Sequence, residues 1–240
     1  MLPPDFSFVH AAAVLLVVLC WFTYGPLLSF LGHGSLNSRL ELVRRQWVRA
    51  MTRRQAKPFD AVLIGHIIHS VAFFGSATLI VLAGVLTVLV SLENLHRTLS
   101  NLHFISKISM ELFALQYGFL TLVLTVCFFS FTYALRKLIY AIALMGALPD
   151  ASEDKPVDEQ LVNHAAKVMS EALKTFNSGI RGYYYAVAAL FMFVSPWACI
   201  AATLIATMTL ITRQIATPTS RAVNEYVKAV ELQEQEGNRN

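Results

Sequence analysis

Carboxylates are missing from every long apolar stretch of this chain, and charge of either sign is scarce throughout. Only 14% of its 240 residues are charged, while 56% are hydrophobic. A soluble domain carries about 25% charged residues. The deficit excludes disorder, a coiled coil and an ordinary soluble enzyme. Cysteine is scarce as well. Cys20, Cys127 and Cys199 all lie inside apolar stretches, whereas a secreted disulfide scaffold would carry more of them, in polar loops. No Walker loop, nucleophile elbow, HExxH or CxxC pattern occurs, so the chemistries those motifs support have no basis here. The lack of acids in the apolar runs argues against a classical proton antiporter, since such proteins relay protons through membrane carboxylates. No internal repeat aligns one half of the chain with the other.

What is present is four long apolar runs, at about residues 6–31, 61–92, 112–146 and 182–211. Each reaches the roughly 20 residues that a transmembrane helix needs. They are too long and too uniformly apolar for barrel strands of about 10 alternating residues. The expected fold is an all-α integral membrane protein: a four-transmembrane-helix bundle with cytoplasmic amphipathic helices. The membrane domain covers 1–216, and 217–240 is a polar tail with a short helix over Ala222 to Val230. The first run is not read as a signal peptide. Met1 to His10 holds no Lys or Arg and carries Asp5, where a signal peptide wants positive charge. Pro26 removes a backbone donor and predicts a kink.

Lys and Arg counts give the orientation. The first loop has seven: Arg39, Arg44, Arg45, Arg49, Arg53, Arg54 and Lys57. The second has Arg97 and Lys107. The third has six, Arg136, Lys137, Lys155, Lys167, Lys174 and Arg181, and the tail has Arg213, Arg221, Lys228 and Arg239. With four spans, loops one and three share the side holding thirteen, against six. Both termini are then expected in the periplasm.

Two loops carry helical patterns. In the first, Leu40, Val43, Trp47 and Met51 recur at 3–4 spacing while Glu41, Arg45, Arg49 and Arg53 take another face. That is an amphipathic helix suited to a lipid surface, with Trp47 at headgroup depth. Arg45, Trp47, Arg49 and Arg53 form the expected membrane-surface anchor. A topology anchor on anionic lipid is favoured over a specific lipid patch or a nucleic-acid site. Pro58 is expected to end this helix and Asp60 to cap the second span. The third loop opens on an acidic run, Glu153 to Glu159. An apolar stripe follows: Leu161, Ala165, Val168, Met169, Ala172, Leu173 and Phe176. Asn177-Ser178-Gly179 is expected to end that helix.

Several pieces together resemble the family of uncharacterised membrane proteins named DUF599, which has bacterial and plant members. They are Arg45-Gln46-Trp47-Val48 with Met51, His69-Ser70-Val71-Ala72-Phe73-Phe74 with Leu82-Ala83-Gly84, Phe128 to Arg136, and Phe176 to Tyr184, spread over roughly 10–220. In that pattern the position of His69 is often Arg, so a role needing a permanent cation there does not carry over. The resemblance implies a four-helix membrane protein and supplies no activity. With the absence of a eukaryotic targeting signal, it places the chain in a bacterial inner (plasma) membrane.

Ionisable residues inside apolar spans are costly and therefore candidates for function. His66 and His69 share a face of the second span. If Leu92 and Leu112 lie at one level, antiparallel pairing sets Arg136 opposite about residue 68. The expected cluster is His66, His69, Tyr133, Arg136, Asn177 and Arg181, as an anion or lipid-headgroup site. A structural reading stands beside it, with arginines reaching headgroups and histidines bonded to backbone. Haem needs facing histidines, and the third and fourth runs hold none; His33, after the first span, sits between Gly32 and Gly34. Zinc lacks a third ligand near His66 and His69 apart from Asp60. No cofactor, no metal, no catalytic set and no nucleic-acid partner is expected. Small residues form possible packing seams: Ala72, Ser76 and Gly84, and Ala198, Ala202 and Ala206. The expected function is a non-enzymatic scaffold or accessory subunit, with membrane lipids and a membrane-protein partner or second copy around it. The alternatives are an oligomeric channel or transporter for a small anionic solute, and a lipid-modifying or redox membrane enzyme.

Overall fold

The computed structural model describes residues 3–30, 36–55, 57–101, 107–152 and 156–237. Leu31, His33 with its flanking glycines, the Glu153–Lys155 part of the acidic run, and Arg239 lie outside the described residues. Eight α-helices and no strand occur among the described residues: α1 (Phe8–Phe30), α2 (Leu36–Arg53), α3 (Lys57–Leu89), α4 (Leu92–Ser100), α5 (Met110–Gly146), α6 (Glu159–Leu190), α7 (Pro196–Ile215) and α8 (Pro218–Gly237). Four stretches are long and apolar enough to cross a membrane: Phe8–Leu28, Lys57–Leu89, Met110–Gly146, and Pro196–Gln233, which takes in α7 and most of α8. The protein is an all-α helical membrane protein. Pro26 lies within α1, and Pro58 falls in the first turn of α3, where a missing N–H costs least.

The run expected as one span over 182–211 is two helices. α6 continues to Leu190, a 3-10 turn follows at Phe191–Phe193, and α7 begins at Pro196. Ser195 caps the new helix: its Oγ accepts the Ala198 N–H at 3.0 Å. Pro196 is at the first helical position, which needs no donor. Nor does α6 stop at Asn177-Ser178-Gly179, which it passes through without a break.

The chain divides into two compact units, each drawn from three segments. The first comprises Met1–Leu27, Gly75–Phe129 and Ser178–Ile211. Trp21, Tyr24, Cys127 and Tyr185 are buried in it. In lipid a buried polar group needs a protein partner; several have one here, while Gln116 Oε1 and Arg181 Nε have none among the described residues. Trp21 Nε1 donates to the Ser178 carbonyl at 3.3 Å, Tyr24 OH to the Leu210 carbonyl at 2.9 Å and Tyr117 OH to the Val85 carbonyl at 2.8 Å. Tyr185 OH pairs with Thr207 Oγ1 at 3.2 Å, and Thr203 and Thr207 donate to carbonyls four residues back. Thr78 and Tyr183 share a hydrogen bond. The buried stripe of α7 is Cys199, Thr203, Thr207 and Leu210, one position away from the alanine seam. On the part of α3 in this unit the buried residues are Thr78 and Leu82, while Ser76 and Gly84 are exposed. α4 packs through Leu92 on Phe113 and Tyr117.

The second unit comprises Leu28–Phe74, Ser130–Asn177 and Thr212–Asn240. Val48 of α2, Ala141 and Met145 of α5, and Val162, Ala165, Ala166 and Met169 of α6 form one cluster. Beside it Phe74, Phe131 and Phe176 meet with ring centroids 5.7 to 5.8 Å apart. The apolar face of α6 is close to the one expected, except that Leu161 is exposed. α8 starts before the short tail helix expected at 222–230 and packs against α2.

Candidate functional site

The arginines of α2 line a groove in the second unit. Arg45, Arg49 and Arg53 are four residues apart and share a face of the helix. Like charges at that spacing repel by a few tenths of a kcal/mol per pair, so the face needs compensation. Arg49 Nη2 donates to Glu159 Oε2 of α6 at 2.7 Å, and its Nη1 to Gln46 at 3.4 Å. Arg54, just past the end of α2, donates to Asp60 Oδ1 at 2.7 Å. The same oxygen accepts the Trp47 indole N–H at 2.6 Å. Asp60 is 1% exposed and sits in the first turn of α3, where the helix dipole favours an acid. It therefore joins α2 to α3 through two donors; it does not act as the cap that was expected. Trp47 is turned into the protein, part-buried beside the Val48 cluster.

Three more elements close the groove: Phe59 and Leu63 of α3, Glu159 and Asn163 of α6, and Tyr226, Val230 and Gln233 of α8. The cavity holds about 1130 Å³. Behind it Arg44 is 8% exposed and donates to Ser170 Oγ at 3.4 Å. Burial pushes its pKa down and Glu41 opposes that shift; an arginine keeps its proton even so. In sequence Arg44 is one charge among seven, yet α2 buries it with Val48 and Thr52 at four-residue spacing. That spacing was the available signal.

The histidine–arginine set is distributed differently. His66 and His69 are exposed on α3. Tyr133 is 55% exposed, and Lys137 Nζ stands 4.6 Å from its ring centroid. Arg136 is exposed; its Nε donates to Tyr140 OH at 2.6 Å. Among the described residues no hydrogen bond or ring contact joins Arg136 to His66 or His69. The cation that α5 turns onto α6 is Lys137, through Thr175 Oγ1 at 2.8 Å and Glu171 at 4.0 Å. Asn177 is part-buried on α6. Arg181 belongs to the first unit, with its guanidinium 5.0 Å from the Tyr24 ring centroid. Among the described residues no three His, Cys, Asp or Glu side chains gather as metal ligands would. A second cavity, about 690 Å³, lies in the first unit between α1 and α5; His10 and Gln116 are the polar residues of its apolar wall.

These helices define the class: a multi-pass membrane protein with a charged groove on one unit. The chain belongs to the family described as "Protein of unknown function, DUF599", whose model matches residues 12–219. No curated protein and no solved structure matches it.

Proposed function

We propose that this chain is a non-enzymatic scaffold or accessory subunit of a membrane complex, in a bacterial inner membrane. What supports this reading is where the polar groups of the apolar helices go. Trp21, Tyr24 and Tyr117 donate to backbone carbonyls of other helices, and Tyr185 pairs with Thr207. Polar groups that brace helices against one another are not left free for a substrate or a pore. Lipids and one membrane-protein partner or second copy are the expected company. The test is purification of the tagged full-length chain in mild detergent, followed by reconstitution. A stoichiometric complex without anion flux is expected. A homo-oligomer that conducts chloride or phosphate in vesicles would overturn the scaffold reading.

That outcome is the second reading, a channel or transporter for a small anionic solute. It draws on Arg136 and Lys137, adjacent cations in a helix that carries no acid after Glu111. Of the expected site residues, His66, His69, Tyr133, Arg136 and Asn177 share the second unit and would then contribute to its anion or headgroup site.

For the orientation we propose a reading supported by one contact. α8 lies against α2, so helices after and before the central spans share a side of the membrane. An even number of crossings separates them. α3 and α5 supply two. α7 must then be paired with a rising segment, and the end of α6 with the Phe191–Phe193 turn is that segment, about 25 Å from Asn177. With α1 this reading has five passes, the four stretches long and apolar enough to cross plus the shorter end of α6, and it sets the amino end in the periplasm and the carboxyl end in the cytoplasm. This differs from the four-span expectation of two periplasmic termini. It also moves the tail cations Arg213, Arg221 and Lys228 to the arginine-rich side, which leaves Arg97 and Lys107 as the cations of the opposite loops and sharpens the charge bias.

A further inference from the structure

The groove between α2, α6 and α8 has a composition that neither bracing nor topology requires. Four guanidiniums, Arg45, Arg49, Arg53 and Arg54, line it. Among the described residues, Glu159 in the wall accepts from Arg49 and Asp60, behind Trp47, accepts from Arg54. Simple attraction to anionic lipid would need only an exposed basic face. Here the arginines are set in a concavity instead, with Arg45 and Arg49 part-buried and Arg53 exposed at its edge. The remaining walls combine aromatic and apolar side chains, Trp47, Phe59, Tyr226, Leu63 and Val230 among them, with the amides Gln46, Asn163 and Gln233. A cavity of about 1130 Å³ is far larger than an inorganic anion needs and slightly exceeds the roughly 1,000 Å³ of the largest usual small-molecule sites.

We propose that this groove binds a phosphate ester carried on an apolar or aromatic body. Guanidinium forks match phosphate oxygens two at a time with charge assistance, and the aromatic wall takes the attached carbon skeleton. Glu159 is a built-in competitor, because it holds Arg49 at 2.7 Å when no phosphate does. A bound phosphate takes over Arg49, so removing that carboxylate strengthens binding. The ester has two possible sources, the headgroup of an anionic phospholipid and a water-soluble phosphoester. The site is independent of the scaffold reading and of the orientation.

The experiment uses the full-length protein in nanodiscs of phosphatidylcholine, open on both faces. Added phosphatidylglycerol is measured by native mass spectrometry as bound lipid per chain, and glycerol 3-phosphate by equilibrium binding. Arg45→Gln with Arg53→Gln is expected to weaken phosphate binding about tenfold or more, the loss of charge-assisted hydrogen bonds. Glu159→Gln is expected to strengthen it, and Arg97→Gln, on α4 of the first unit, to leave it unchanged. Melting temperatures in detergent show that each variant is folded. Binding of phosphatidylglycerol alone identifies a lipid headgroup; binding of glycerol 3-phosphate in the absence of anionic lipid identifies a soluble ester. Three results overturn the proposal: neither ligand binds above phosphatidylcholine; the double variant binds as the wild type does; or Arg97→Gln loses as much as the double variant.

Discussion

Gly182→Ala adds a single methyl group and should be among the most damaging substitutions in the first unit. A Cβ built at Gly182 meets Cys127 Sγ and comes within 2.6 Å of Trp21 Cζ2 and 3.2 Å of its Cε2. Neither neighbour is the far end of a flexible chain. Cys127 is 0% exposed. Trp21 is a rigid indole tied by its N–H to the Ser178 carbonyl and tilted against Tyr185 at 6.3 Å. Ordinary contact needs about 3.5 to 4.0 Å, so α1 or α5 must move by roughly 1 Å or more. Overpacking of this kind costs about 1 to 3 kcal/mol, and losing the Trp21 hydrogen bond adds about 0.5 to 1.5. For a chain of this size each kcal/mol lowers the melting temperature by about 2 to 4 °C. The assay is thermal unfolding in detergent followed by tryptophan fluorescence. Cys127→Ala removes the sulfur that the new methyl meets, so the double variant should recover part of the loss, a coupling that independent sites do not show. A Gly182→Ala protein as stable as the wild type, or no recovery in the double variant, would refute the packing described for α1, α5 and α6.

Asp60→Ala should destabilise the protein by about 1 to 3 kcal/mol, read as a fall in melting temperature. A broken buried ion pair costs more than that, but Arg54 is 41% exposed and recovers water. Reporter fusions at residue 240 should be fluorescent with GFP and inactive with alkaline phosphatase; the reverse pattern would remove the five-pass orientation. Asp5 accepts hydrogen bonds from Ser109 N and Oγ at 2.6 Å each, which hold its carboxyl below the usual value. A depressed acid contributes stability above its unfolded pKa of about 3.9 and loses it as pH falls through the lower folded value. Hydrogen exchange at the Ser109 amide should therefore stay slow at neutral pH and lose protection only in strong acid. Early loss near pH 6 would show that the tether is not the carboxylate.

The helices were legible in the sequence because lipid forces a simple composition on them. The break in the last apolar run was not, since hydropathy stays high through Phe191, Met192, Phe193 and Val194. The signal was Ser195-Pro196, a cap followed by a residue that suits the first helical position. Asn177-Ser178-Gly179 misled in the opposite sense. Glycine near a polar pair reads as a helix end, but α6 runs on and uses Gly182 to admit Trp21 and Cys127. The alanine seam on α7 missed the buried stripe by one position for a related reason. In lipid both faces of a helix are apolar, so hydrophobicity does not report which one is buried. The stripe actually chosen contains Thr203 and Thr207, which is possible because each threonine donates to the carbonyl four residues back.

The site was legible only in part, and the reason is tertiary. The arginine face of α2 stands in the sequence at four-residue spacing, and Arg45, Trp47, Arg49 and Arg53 were all marked by it. Nothing local says that the face becomes a groove. That depends on α8, whose Tyr226 and Val230 come from a tail that composition describes only as polar, and on Glu159, which lies 110 residues beyond Arg49. Trp47 illustrates the difference. An exposed indole beside arginines suits a headgroup layer, but Asp60 takes its N–H and Arg54 neutralises Asp60. A tryptophan fixed in that way forms a wall and no longer a free anchor. The arginines beside it are then held at fixed distances from an aromatic surface, an arrangement suited to a ligand with both a phosphate and a carbon skeleton and not to a diffuse layer of charge.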